Sequence, residues 1–312
     1  ITVTVAQIHG LGDRYGYYNS DSSYIISDTP NNIEQELESL SITDTTTAYT
    51  DIQDTFLGRA SSVDVGPGEL ITVTVAERYA LDYRYDQAYD ISDTPSNIEM
   101  ELEGLDTYNP TGSYLTDANS VSVGADESIT VTIAEREVLG SRYDQDYNIE
   151  DSSYNIEFAL YNTVGHLGAT TLSEASSVDL NGQGMGEGYI AIASRKMLGD
   201  RYDEPYSIVD TPSNIEQEVS GLDQTSIYGT TLGNASYVLT EMMDDSITVT
   251  IAEREALGSR FDDYHSNYEI VDSAFNIEQE VSGLDYATIE GTILGGANTV
   301  SSEDGLITVA LG

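Results

Sequence analysis

No cysteine occurs among the 312 residues, which excludes disulfides and thiolate metal centres and leaves folding to burial and hydrogen bonding. Tryptophan is absent and phenylalanine occurs only four times, so 23 tyrosines carry nearly all the aromatic surface. A tyrosine packs its ring while keeping its hydroxyl wet, which suits a thin core and subunit contacts. Basic residues are scarce: 11 against 55 acidic ones, a formal charge of −44. Such a surface repels nucleic acid and anionic lipid, and suits a saline or calcium-containing exterior where ions screen it. The longest apolar stretches are short strands, so no membrane insertion is expected. The three histidines, His9, His166 and His265, fall at unrelated places, and neither a Gly-x-Ser-x-Gly elbow nor a Walker loop is present. No catalytic constellation is therefore expected, and the chain is read as a non-enzyme.

What the sequence does contain is one unit repeated five times. ITVTIAEREALGSRF at Ile247 returns as ITVTIAEREVLGSRY at Ile129, as ITVTVAERYALDYRY at Ile71 and at Ile1, with a worn copy opening at Gly188. The repeats are 1–70, 71–128, 129–187, 188–246 and 247–306, with 307–312 beginning a sixth. Repetition at a fixed spacing implies units that bury their apolar faces mainly against neighbours. The first repeat is the longest; its extra residues lie in GYYNSDSSY and ITDTTTAYTDIQDT, polar stretches expected as loops. The start without methionine, directly on a strand motif, is read as an exported protein after signal removal, or as a segment of a longer chain.

Within a unit, ITVTV alternates like a strand with one buried face. Thr74 to Glu77, Thr132 to Glu135 and Thr250 to Glu253 have the Thr-x-x-Glu form of a capping box, predicting a helix of about two turns. Gly140, Gly199 and Gly258 would end it. A second strand such as YDISD follows. Asp28, Asp93, Asp151, Asp210 and Asp272 are expected to N-cap a second helix, with Pro30, Pro95 and Pro212 in its first turn. Ile98, Leu102 and Leu105 form its apolar stripe, matched by Ile33, Leu37, Leu40, by Ile215, Val219, Leu222 and by Ile277, Val281, Leu284. A variable loop then leads to a third strand. The expected fold is α/β, a tandem repeat rod of about five strand-helix-strand-helix-strand units. Tandem β-sandwich domains are the alternative, and the helical stripes count against them.

Nine of the 11 basic residues are fixed by the repeat. Arg14, Arg84, Arg142, Arg201 and Arg260 each precede a tyrosine or phenylalanine, and are expected to form structural salt bridges within or between units. Arg78, Arg136, Arg195 and Arg254 form a second row. Asp86, Asp144, Asp203 and Asp262 follow the Arg-aromatic pair and are candidate calcium ligands, since calcium takes hard oxygen donors. Pairing with the adjacent arginines is the plainer expectation, because neither an Asp-x-Asp-x-Asp-Gly run nor the Gly-Gly-x-Gly-x-Asp nonapeptide occurs. No cofactor is required; calcium is possible.

The unit, with ITVT-AE-aL, Y-I-D-t-x-x-N-I at Asp93, Asn97 and Ile98, an amphipathic helix and a short last strand, resembles tandem repeats of very large secreted and cell-surface bacterial proteins, including adhesin-like and RTX-associated chains. That resemblance implies an exported, non-enzymatic, extended structure. The expected role is a subunit of an extracellular filament, sheath or surface layer that polymerises with itself head-to-tail. Ile1, Val3 and Val5 of the first strand would meet Ile307, Val309 and Leu311 of the last. The alternative is a segment of a giant adhesin whose variable loops bind a surface or glycan; divalent cations are the other candidate partners.

Overall fold

The structure is a computed structural model and describes residues 1–12, 24–43, 45–103, 105, 113–161, 168–180, 188–242, 244–261, 266–284 and 286–305. Each repeat builds a three-stranded sheet with strands in chain order; both pairings in the first, second, fourth and fifth sheets, and that of Ile129–Val131 with Tyr147–Asp151 in the third, are parallel. In the second repeat these are Ile71–Val73, Tyr89–Ser92 and Ser120–Ser122, with Ile71 opposite Tyr89 and Ile91 opposite Val121. Parallel neighbours cannot be joined by tight hairpins, so helices carry each crossover. An antiparallel sandwich is excluded. The mixed α/β reading holds, and the inward residues Ile71, Val73, Ile91 and Val121 are at most 2% exposed.

The first helix of the unit is Val75–Leu81, Ile133–Leu139 or Ile251–Leu257. The predicted capping boxes form: Thr74, Thr132 and Thr250 accept from the third helical N–H, and Glu77, Glu135 and Glu253 return the bond. Thr4 and Gln7 do the same in the first repeat. In the fourth repeat Ala191 and Ser194 occupy these places and no side chain caps the helix. Each of these helices ends on a residue with positive φ, a glycine in four repeats and Asp82, at 47°, in the second. A 3-10 turn such as Asp82–Arg84 or Gly140–Arg142 then leads into the second strand.

The second helix, Pro95–Leu102 or Pro212–Val219, carries the predicted stripe but stops earlier than expected. Ile98, Leu102, Ile215 and Val219 are fully buried, whereas Leu105 and Leu222 lie beyond the helix end and are only half-buried. Two loop expectations are corrected. The stretch after Ile42 folds into the helix Thr45–Gln53, because Ala48 and Ile52 sit one turn apart and are both fully buried against the neighbouring repeat. The variable stretch before the third strand contains a short helix in every repeat, one turn in four of them, such as Phe56–Arg59, Tyr114–Asp117 and Thr231–Asn234 capped by Thr55, Ser113 and Thr230, and Gly168–Glu174 in the third. The first insertion, GYYNSDSSY, lies almost wholly outside the described residues.

Packing divides the chain into two compact units, Ile1–Glu150 with Glu174–Ser176, and Asp151–Ser173 with Ser177–Gly312. The division falls inside the third repeat, not at a repeat boundary. The first unit holds the 1/2 and 2/3 junctions between repeats, and the second holds the 3/4 and 4/5 junctions.

The junction between repeats as candidate functional site

At every junction the second helix of one repeat packs against the first strand of the next. That strand is an edge strand whose outward N–H groups have no sheet partner, and a glutamate from the helix takes one of them. Glu34 accepts from the Thr72 N–H at 2.6 Å, Glu99 from Thr130 at 2.6 Å and Glu216 from Thr248 at 2.5 Å. At the 3/4 junction Glu157 instead accepts from the Ala191 N–H at 2.7 Å. This shift follows from the missing capping box: the N–H that Glu77, Glu135 or Glu253 occupies elsewhere is left open in the fourth repeat. Burial pushes the Glu157 carboxyl up, reinforced by the charges of Asp210 and Glu241 and only partly opposed by its bond to Ala191. The helix stripe drew attention away from these glutamates, although their spacing one residue after each stripe isoleucine was visible.

A second set of contacts closes the 1/2, 2/3 and 4/5 junctions. The Val65 N–H donates to Gln87 Oε1 at 2.8 Å, the Val123 N–H to Gln145 Oε1 at 2.7 Å and the Thr240 N–H to Ser266 Oγ at 3.0 Å. Beside them lies the arginine row, and here the expected salt bridges are corrected. Among the described residues no ion pair joins Arg84, Arg142, Arg201 or Arg260 to a carboxylate. Arg142 Nε donates to the Ala118 carbonyl of the preceding repeat at 3.1 Å, and Arg201 Nη2 to the Met197 carbonyl at 3.0 Å. Arg84 stacks over Tyr49 and Tyr83 at 5.6 and 5.0 Å, and Arg260 over Tyr228 at 5.9 Å. The planar guanidinium suits both ring faces and chain carbonyls. Arg14 lies outside the described residues.

The second arginine row is internal to each repeat. Arg78, Arg136, Arg195 and Arg254 each donate through Nη1 to the carbonyl that ends the first helix, at 2.8 to 2.9 Å. Each also lies 4.5 to 4.9 Å from the ring centre of Tyr89, Tyr147, Tyr206 or Tyr268. Three of these tyrosines do not keep a wet hydroxyl as expected: Tyr89, Tyr206 and Tyr268 donate to the carbonyls of Tyr114, Thr231 and Ile293. Burial also pushes the Tyr85 and Tyr202 hydroxyls up to about 12.

The aspartate row has a different task from the one expected. The second helices are capped by the following residue, Thr29, Thr94, Thr211 or Ser273. The aspartate, at the end of the second strand, instead joins three elements. Asp93 Oδ1 accepts from the Thr94 N–H and from Asn97 Nδ2, both at 2.7 Å, while Oδ2 accepts from the Val75 N–H at the start of the first helix at 2.8 Å. Asp28, Asp210 and Asp272 repeat all three bonds. Asp151 makes the first two. Burial alone would raise the Asp28 carboxyl, but hydrogen bonds from Asn32, Thr29 and Val5 outweigh it and hold the group below its ordinary value.

The calcium candidates Asp86, Asp144 and Asp203 are exposed on the turn after the 3-10 segment, and Asp262 lies outside the described residues. Among the described residues no group of three or more histidine, aspartate or glutamate side chains is placed to hold a metal ion. Of the expected polymerisation residues, Ile307, Val309 and Leu311 lie outside the description. Thr2 and Val3 form the first strand, but Val5 is the first residue of the helix Val5–Leu11 and not part of the strand. His9 Nε2 lies 2.9 Å from Glu36 Oε2, which accepts its hydrogen bond; His166 and His265 are outside the described residues. No described helix is long and apolar enough to cross a membrane. No protein-family model matches the chain, and no curated protein or solved structure matches it.

Proposed function

We propose that the chain is a non-enzymatic structural subunit of an extracellular filament, sheath or surface layer, an extended array in which a helix-to-strand junction recurs. The observation that supports this reading is the recurrence of the junction: at four successive boundaries a helix glutamate accepts a hydrogen bond from the backbone at the start of the next repeat. Recurrent repeat-to-repeat bonding, with the donor shifted by two residues at the 3/4 junction, is what an array of like units needs in order to grow. Recurring polar residues serve the same end: Arg78, Asp93 and Glu99 and their equivalents bond to backbone groups. The surface charge of −44 is tolerated in an external, saline setting, where screening limits self-repulsion.

Polymerisation extends the same junction between chains. Ile1 is 65% exposed, whereas its counterparts Ile71, Ile129 and Ile247 are fully buried beside the preceding helix. A repeat supplied by a second copy would cover Ile1 and offer the Thr2 N–H a carboxylate, and residues 307–312 repeat the opening motif at the other end of the sequence. Such a heterologous contact grows open filaments. Negative-stain microscopy and sedimentation of the full chain and of a deletion of 306–312 test this. The expected result is filaments from the full chain and monomers from the deletion. Filaments surviving the deletion, or a full chain that stays monomeric at high concentration and high salt, would overturn it.

A further inference from the structure

One junction differs from the others. Where the third repeat's helix Ser153–Tyr161 meets the fourth repeat's sheet, a groove of 920 Å³ opens, and four tyrosines line it: Tyr154, Tyr161, Tyr189 and Tyr237. All four expose large parts of their rings, between 47% and 73%. None belongs to the repeat. The place of Tyr189 holds Thr72, Thr130 or Thr248 in the other full junctions, and that of Tyr237 holds a serine or threonine in every other repeat. The places of Tyr154 and Tyr161 hold asparagine, serine or glutamate at those junctions. A stacking role in the array would call for tyrosines at every boundary. Four exposed rings at one boundary alone point to a ligand.

The lining fixes the ligand's charge. Glu157, Asp210 and Glu241 border the groove, and no lysine or arginine does. Asp210 is bound on both oxygens, to the Ile192 N–H and to Thr211 and Asn214, and Glu157 Oε1 to the Ala191 N–H. The Asp210 and Glu157 carboxyls are therefore held in place beside the rings, Glu241 is exposed at the border, and no cation stands among the lining residues. Burial and the neighbouring carboxylates already push the Glu157 carboxyl up, and a positive group in the groove would relieve that repulsion. Aromatic faces with flanking carboxylates attract an organic cation through the ring quadrupoles and through charge. A neutral sugar would use the rings but leave the carboxylates uncompensated.

We propose that this groove binds a small organic cation through an alkylammonium head, held against the tyrosine faces and neutralised by Glu157 and Glu241. Choline serves as the probe, with its uncharged tert-butyl analogue as control and intrinsic tyrosine fluorescence, undiluted by tryptophan, as the readout. The variant Tyr189→Thr with Tyr237→Ser installs the residues that the other repeats use, so the fold is kept; circular dichroism checks this. The expected result is saturable choline binding at physiological ionic strength, weakened about 10-fold in the double variant and weaker again for the tert-butyl analogue. Glu241→Gln, which touches no structural bond of the junction, should also weaken it. Equal choline binding by the double variant would show only general attraction to an acidic surface and would overturn the proposal. So would equal binding of the uncharged analogue, or binding of a neutral oligosaccharide with none of choline. Polymerisation is a separate reading: failure here leaves the microscopy result unchanged.

Discussion

Replacing Asp93 with alanine should be among the most damaging single changes in the first unit. Asp93 is 9% exposed and accepts three hydrogen bonds, from Val75, Thr94 and Asn97. Val75 is 1% exposed, so water cannot replace the lost partner of its N–H, and an unpaired buried donor costs about 1–3 kcal/mol. The Thr94 N–H and the Asn97 amide are nearer solvent and lose about 1 kcal/mol each. The expected destabilisation is about 3–5 kcal/mol, or a fall in melting temperature on the order of 10 °C for a unit of this size. Asp93→Asn keeps an oxygen for only one side and turns an N–H₂ toward the other donors, so it should recover about half at most. Urea unfolding followed by circular dichroism measures both. The same change at Asp210, which is 3% exposed and makes the same bonds, should cost as much. At Asp28, which is more exposed, it should cost less. A loss below about 1 kcal/mol at Asp93 would show that the aspartate is a surface cap and not the link between strand and two helices.

Four further outcomes follow from the junctions and turns. Glu157→Gln keeps an acceptor for the Ala191 N–H while removing a desolvated charge, so stability at neutral pH should hold or rise, and Glu157→Ala should lower it. The sign with pH is set by the raised carboxyl: the cost of its charge is present above its folded-state value and is relieved as pH falls through that value, so the Gln variant's advantage should fade on acidification. The opposite holds for Asp28, whose lowered carboxyl contributes stability above its unfolded value that is lost as pH falls through the folded one. Asp82→Gly should stabilise by about 0.5–1 kcal/mol in thermal unfolding, because Asp82 holds a φ of 47° that four other repeats assign to glycine. Gly233→Ala should destabilise by about 3 kcal/mol, since an added Cβ would stand 1.9 Å from the Ile227 carbonyl oxygen.

The repeat, its three strands, its capping boxes and the Ile98-type stripe could all be read from the sequence, because each depends on spacing along one segment. What could not be read was the choice of partner across segments. Asp93 sits one residue before Thr94, and both are good N-cap residues; only the approach of the Val75 helix start to the end of the second strand decides that threonine caps locally and aspartate reaches across. The arginines' carbonyl and ring partners could not be read, because charge counting suggests carboxylates while the partners, such as the Ala118 carbonyl and the Tyr49 ring, come from other segments. Thr45–Gln53 looked like a polar insertion since Ala48 and Ile52 are its only strongly buried members. The tyrosine groove was hidden for a topological reason: Tyr154, Tyr189 and Tyr237 lie in two different repeats and meet only where those repeats pack.

Amide hydrogen exchange at Thr130 tests the junction most directly, because its N–H donates to Glu99 of the preceding repeat and not to the sheet. Protection at Thr130 that falls by roughly tenfold in Glu99→Ala, with the Ile91 and Val121 amides unchanged, is the expected result. A Thr130 amide that exchanges freely in the unmodified chain, or one indifferent to Glu99, would contradict a repeat array held together by helix carboxylates on edge-strand N–H groups.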